Sequence, residues 1–238
     1  YYTSHMKYPK KGGFRSILND CRKGLDIRFN KEVVRINPSA KTVFFKDGSS
    51  VKYDRLISSL PLPEIVKMID GIPVDIKKAG EDLMHTSGYM VSLGFKRPDV
   101  AKHLWFYIYD EDILASRVYS PNLKSPDNAP EGCSSLQAEI FFSNRAEVPP
   151  AEDVLKNTIE KLIEMGIFKE EDLVVKDIRF EKYANVIFDK DIYKNREVVL
   201  KYLKTIGIES IGRFGKWEYM WTHQAFEDGM KAIKLIKI

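Results

Sequence analysis

Apolar positions along the chain change their spacing several times, and each change marks an element. Phe14, Ile17, Leu18 and Cys21 recur at helical intervals and stop at Gly24, which predicts a helix from Phe14 to Arg22. "DIRFNKEVVRI" then reads as extended. "KTVFFKDGSSVKYD" alternates on both sides of Asp47-Gly48, the signal of a hairpin with positive backbone angles at its turn. "RLISSLPLPEIVKMI" predicts a buried strand, a break at Pro61 and Pro63, and a short helix. A helix, a strand, a hairpin and another buried strand suit the edge of a dinucleotide-binding domain.

The middle of the chain is textured differently. "SGYMVSLGF", "HLWFYIY", "ILASRVYS" and "SSLQAEIFF" are consecutive strand-like runs joined by loops rich in Pro, Asp and Asn, which predicts a largely antiparallel sheet. "AEDVLKNTIEKLIEMG" is an amphipathic helix with Val154, Ile159, Leu162 and Ile163 on its apolar side. "DLVVKDIRFEKY" returns as a strand and "NREVVLKYLKTIG" as a helix. A short strand over Ile208–Ile211 then meets Gly212-Arg213-Phe214-Gly215, an aromatic group (Trp217, Tyr219, Trp221) and a terminal helix. No internal repeat, low-complexity tract or linker separates these parts.

Composition narrows the function classes. The chain has 238 residues, 44% of them hydrophobic and 30% charged, as in an ordinary globular protein with a real core. A formal net charge of +4, with basic and acidic residues interleaved, argues against a nucleic-acid surface. No apolar run is long enough for a membrane span. Cys21 and Cys133 lack metal or redox spacing, so free thiols in a reducing, cytoplasmic compartment are expected.

Few residues offer chemistry of their own. The four histidines share no metal-like spacing, and neither a GxSxG elbow nor a P-loop is present. Ser59 reads as a small packing residue. Arg117, inside "ILASRVYS", needs a partner or an anionic ligand if it is buried, and faces solvent on an alternating strand if it is not. Arg213 stands at the carboxyl end of a predicted buried strand, where ligands collect in open α/β sheets. Its planar fork suits phosphate. The amino end of the terminal helix, near Thr222–Gln224, offers backbone donors and a positive dipole, and Gly212 and Gly215 allow a close backbone approach. The small residues Ala225, Gly229 and Ala232 mark the packing face of that helix. Taken singly, Trp105, Tyr107, Trp217 and Tyr219 each read first as core aromatics.

"GRFGKWEY…HQ…G" resembles the flavin-contact motif of eukaryotic-type UDP-galactopyranose mutases, within the wider superfamily of FAD-dependent amine oxidases and protoporphyrinogen oxidases. "YPKKGG", "EVVRINPSAKTVFFKDGSSVKYDRLISSLP" and "LWFYIYDEDILASRVYSPNLKSP" extend the resemblance, in order, over most of the chain. It implies that Val33 contacts the FAD adenine through its backbone and that Gly212, Arg213 and Gln224 lie beside the flavin. It also implies that Trp105, Tyr107, Arg117 and Tyr219 line a nucleotide-sugar pocket, with Arg117 and Arg213 near the diphosphate. In that family the reduced flavin attacks the anomeric carbon and expels UDP, so the chemistry is borne by the flavin and no catalytic side chain is named.

Two positions depart from the mutase pattern. Lys124 stands where a tyrosine is expected before "SP", and Asn185-Val186 stands where a tyrosine and a proline are expected. The family's G-x-G-x-x-G turn for the FAD pyrophosphate is also missing from these 238 residues. The expectation is therefore a carboxyl-terminal portion of a flavoprotein. Its fold is mixed α/β, part of a Rossmann-like FAD/NAD(P)-binding domain plus an antiparallel-sheet substrate domain. Residues 1–72 form part of the FAD domain, 73–205 the substrate domain, and 206–238 return to the FAD domain. The expected partners are the missing amino-terminal FAD-binding segment or chain and a small-molecule substrate, with UDP-sugars among the candidates; no nucleic acid and no membrane span are expected. FAD is the cofactor of the complete protein, held weakly or not at all by this chain alone. Two alternatives stay open: an oxidoreductase of the amine oxidase or protoporphyrinogen oxidase type, and a non-catalytic binding domain that keeps the fold.

Overall fold

A computed structural model describes residues 7–235 and shows a mixed α/β chain with several sheets. The chain forms two compact units and passes between them after Ile27, Thr86 and Ala184. The first unit takes the described residues up to Ile27 and Ser87–Ala184; the second takes Arg28–Thr86 and the described residues from Asn185 onward. These crossings differ from positions 72 and 205. The helices Val74–Glu81 (α2) and Ile192–Thr205 (α5) pack on each other in the second unit, which draws both flanking segments into it.

The first unit is built on a five-stranded sheet. Strand β5 (His85–Phe95), β6 (Trp105–Tyr107), β7 (Arg117–Tyr119), β8 (Ser134–Ser143) and β9 (Leu173–Val186) lie in the order β6-β7-β8-β5-β9. The β6/β7 and β7/β8 pairs are antiparallel, as the alternating runs predict. One face supplies the core: Val91, Leu93 and Phe95 of β5, Val118 of β7, and Leu136, Ala138 and Ile140 of β8. Helix α4 (Ala151–Glu164) contributes Val154, Ile159 and Leu162 to the same cluster, and Ile163 packs at its edge. Gly88 is needed in β5, because a Cβ there would come within 2.1 Å of the Ile140 carbonyl oxygen.

The second unit carries two small sheets. Strands β1 (Val33–Asn37), β2 (Thr42–Phe45) and β3 (Ser50–Lys52) form an antiparallel meander. The β2–β3 hairpin is present, but only Gly48 takes a positive φ, of 82°. Gly48 N–H donates to Phe45 O, and Phe45 N–H donates to Ser49 O. The turn is thus a three-residue loop with glycine at its left-handed end, rather than a two-residue turn. Strand β4 (Leu56–Ser58) pairs in parallel with β10 (Ile208–Ser210). Helix α1 (Leu62–Met68) begins after Pro61 and buries Leu62, Ile65 and Val66. A one-turn helix α6 (Gly212–Gly215) and helix α7 (Thr222–Leu235) close the described chain, with Ala232 buried along α7.

One expected element is shorter than its pattern. The segment after Gly12-Gly13 forms a 3₁₀ helix over Phe14–Leu18 only, with no buried residue. Phe14, Ile17 and Leu18 are exposed there, so the apolar stripe that predicts a longer helix has no surface to pack on within the described residues.

Candidate functional site

The face of the five-stranded sheet opposite the core is polar and aromatic. Cross-strand register builds it in two rows. Trp105 of β6 lies opposite Tyr119 of β7, which lies opposite Gln137 of β8. Tyr107 lies opposite Arg117, which lies opposite Glu139. The intervening positions, Phe106, Val118 and Ala138, belong to the core side, so the period of two places all six residues on one surface. Three residues that the sequence resemblance assigns to a substrate pocket, Trp105, Tyr107 and Arg117, therefore share a face. Gln137 Nε2 donates to Ser92 Oγ at 3.0 Å and ties that face to β5.

Arg117 has a protein partner. Its Nε and Nη2 donate to the two carboxylate oxygens of Glu139, each at 2.7 Å. Glu139 is buried, whereas the Arg117 side chain is 40% exposed. Glu139 is the larger cause, and Tyr107 a smaller one, that holds the guanidinium in its charged form. Burial, reinforced by repulsion from Glu139, pushes the Tyr119 phenol up to about 12. Lys124 closes the short helix α3 (Pro121–Lys124), and its Nζ lies 4.0 Å from the centre of the Tyr119 ring. A separate cavity of about 390 Å³ in this unit is lined in part by Arg97, Lys102, Phe168 and Lys169. Its arginine is already committed to Asp99 and Asp172.

The second unit holds Arg213 in a different setting. Its Nη2 donates to Asn185 Oδ1 at 2.6 Å, and its guanidinium carbon lies 4.8 Å from the centre of the Tyr219 ring. Asn185 is itself fixed, since its backbone N–H donates to Thr86 Oγ1 at 3.0 Å. The buried Nε of Arg213 has no acceptor, which leaves a donor for a ligand. Tyr219 is half exposed, while Trp217 is fully buried and belongs to the core of the unit.

The residues expected at a flavin are all in this second unit. Gly212 has a φ of 74°, and open space lies where its Cβ would be. Its N–H donates to Asp228 Oδ2 at 2.8 Å, and its carbonyl accepts from Lys216 N–H at 2.9 Å. Its backbone polar groups are thus engaged, and what it offers a ligand is an unobstructed surface. Gly215 serves packing: a Cβ there would lie 3.1 Å from Ser58 O and 3.3 Å from Ser59 Cα. Gln224 is exposed, and its Oε1 accepts from Trp221 N–H at 2.8 Å, which satisfies one donor at the start of α7. Val33 opens β1 opposite Phe45, at a bulge between Val33 and Arg35. The orphan donor of Arg213 and the open face of the adjacent Gly212 are what this turn offers a planar polar group.

Sequence reasoning does not single out Glu139, Tyr119 or Gln137. Glu139 is 22 residues from Arg117 and reaches it only through strand register. The polar intervals of "SSLQAEIFF" are the available signal, since Gln137 and Glu139 alternate with core positions.

Residues 1–210 match the sequence family described as flavin containing amine oxidoreductase. Among solved structures, a reduced UDP-galactopyranose mutase superposes with a TM-score of 0.87 at 23% identity, over 96% of this chain and 51% of that one. A protein assigned as a protoporphyrinogen oxidase from Exiguobacterium sp. 255-15 gives 0.70 at 12% identity, over 94% and 51%. A fatty acid isomerase from P. acnes that produces CLA also gives 0.70, at 11% identity, over 95% and 52%. The chain therefore spans about half the length of each. At these identities the likeness establishes the fold. Among the described residues, no helix is long and apolar enough to cross a membrane.

Proposed function

Because the chain belongs to the family of flavin-containing amine oxidoreductases, we propose that it is part of an FAD-dependent enzyme acting on a nucleotide sugar or a similar anionic substrate. The observation that carries this reading is the paired register of Trp105–Tyr119–Gln137 and Tyr107–Arg117–Glu139 on one polar face. Flat rings beside fixed cations suit a ligand with both a stacking group and an oxyanion.

A bound flavin supplies electron transfer or, when reduced, a nucleophilic ring nitrogen. In this reading Gly212 provides the close surface for it, Gln224 a carboxamide, and Val33 a backbone contact to the adenine. Arg213, oriented by Asn185 on one side and Tyr219 on the other, donates from its free Nε to an anionic group of the ligand rather than to the flavin. Trp105 and Tyr107 stack the substrate, and Arg117 is held in place by Glu139. The remaining half of the FAD cradle comes from polypeptide outside these residues. This is supported by the half-length coverage of the matched structures and by the lack of a G-x-G-x-x-G turn in the sequence.

A second reading, an oxidoreductase with another anionic substrate, is favoured by one pair of residues. Lys124 and Asn185 replace the two tyrosines of the mutase pattern, and Asn185 serves instead as the acceptor that holds Arg213.

Replacing Arg213 with Lys in the flavin-loaded protein tests the proposal. The charge remains, but the planar fork is lost. Loss of one charge-assisted hydrogen bond, about 1.5–3 kcal/mol, weakens UDP binding by about tenfold or more while flavin is retained. Wild-type affinity for UDP in this variant would make Arg213 a structural residue and remove it from the site.

A further inference from the structure

The polar face of the first unit carries two cations and one buried carboxylate at close quarters. Glu139 directs both of its oxygens to Arg117. Lys124 is treated differently: its Nζ lies 4.0 Å from the centre of the Tyr119 ring and 5.3 Å from that of Tyr8. Among the described residues no side chain or carbonyl accepts a hydrogen bond from it. Burial is the first cause that pulls the Lys124 ammonium below its usual range, and the charge of Arg117 is the second, opposed by Glu139. A cation held on ring faces, half-buried and repelled by a neighbouring cation, keeps its donors for a ligand.

The lysine is also held in place from below. It ends α3, which begins with Pro121, one intervening residue beyond the end of β7. Ser125 N–H donates to Pro121 O at 3.0 Å, and Asn128 Nδ2 donates to the same oxygen at 3.1 Å. Asn122 Oδ1 accepts from Ser135 N–H on β8 at 3.0 Å. Asp127 accepts from Gly12 N–H at 2.6 Å and from Ser125 Oγ at 3.1 Å. The turn that presents Lys124 is therefore fixed to the sheet and to the segment following Tyr8.

We propose that Lys124 is the residue by which this face selects an oxyanion, phosphoryl or carboxylate, on its ligand, and that Arg117 is a scaffold cation already neutralised by Glu139. The inference rests on the substrate-face reading above and deepens it. With one carboxylate for two cations, the cluster keeps one positive charge, and that charge is Lys124. The ligand it favours carries its negative charge within reach of α3 and a flat group beside Trp105 and Tyr107.

The test is calorimetric titration of wild type, Lys124→Gln and Lys124→Arg with inorganic pyrophosphate, malonate, UDP and uridine at two salt concentrations, with thermal melting of each variant as a folding check. Lys124→Gln should bind the preferred anion at least about tenfold more weakly and with less salt dependence. Lys124→Arg should restore most of the affinity, and uridine should bind all three alike. Preference for pyrophosphate or for malonate identifies which oxyanion is selected. If Lys124→Gln does not fold, Lys124→Met takes its place and the same loss is expected. Binding of pyrophosphate or malonate by wild type but not by Lys124→Gln, with no response to UDP, supports Lys124 while the nucleotide-sugar reading fails. Equal binding of UDP and pyrophosphate by wild type and Lys124→Gln overturns the role of Lys124 while that reading stands. Absence of any anion binding by wild type overturns the inference.

Discussion

Arg117 and Glu139 face each other across β7 and β8 and share two hydrogen bonds of 2.7 Å, with the carboxylate buried and the guanidinium 40% exposed. The carboxylate depends on that arginine. Arg117→Gln leaves a buried charge without its partner, at a cost of about 1–3 kcal/mol; solvent at the arginine keeps this below the cost of a fully buried pair. Combining Arg117→Gln with Glu139→Gln should cost less than the sum of the single changes. Urea denaturation of the four proteins measures the coupling, and additive losses would mean that the pair is not energetically linked.

The two glycines of the 212–215 turn should fail for different reasons when replaced. Gly212→Ala meets no steric obstacle but must hold a φ of 74°, a strain of about 1 kcal/mol. Gly215→Ala presses on the backbone of Ser58 and Ser59, and overpacking of this kind costs about 1–3 kcal/mol. Denaturation midpoints should therefore fall further for Gly215→Ala than for Gly212→Ala. The reverse order would show that the β4–α6 contact yields easily.

Alkaline pH isolates Lys124. Its ammonium faces Arg117 and Glu139 and the rings of Tyr8 and Tyr119, and burial followed by Arg117 repulsion lowers its pKa below 10.5. In the window between that lowered value and 10.5, the unfolded chain binds more protons at this residue than the folded one. The folded state therefore gains stability relative to Lys124→Met as pH rises through the window. Anion affinity at the same face should fall over the same range, because the deprotonated amine has lost its charge. A stability difference between the two proteins that is flat with pH would show that Lys124 titrates as an exposed lysine.

Much of the first unit is legible in the sequence, because strand period and helix period act over neighbouring residues. The runs that become β5, β8, α4 and β9 carry their own signals. Helix α2 is not apparent from its own spacing, since "VDIKKAGE" buries only Ala79 and Gly80, and its start rests on Pro73. The opposite error occurs at Phe14–Arg22, where a helical stripe is present but nothing among the described residues covers it. In the candidate site, Trp105, Tyr107, Arg117 and Arg213 are proposed from residue type and resemblance. Their partners are not, because Glu139 and Asn185 reach the two arginines across 22 and 28 residues of chain. Pairing at that separation is set by register and topology, which no local spacing records.

The most direct measurement of the substrate-face assignment is saturable photolabelling with a 5-azido derivative of UDP, followed by peptide mapping with and without excess UDP. The face defined by the Trp105 and Tyr107 rows predicts protectable label on Trp105–Tyr107, Arg117–Tyr119 or the α3 turn. Protectable label confined to peptides outside the polar face, such as the core-covering helix α4, would contradict the assignment.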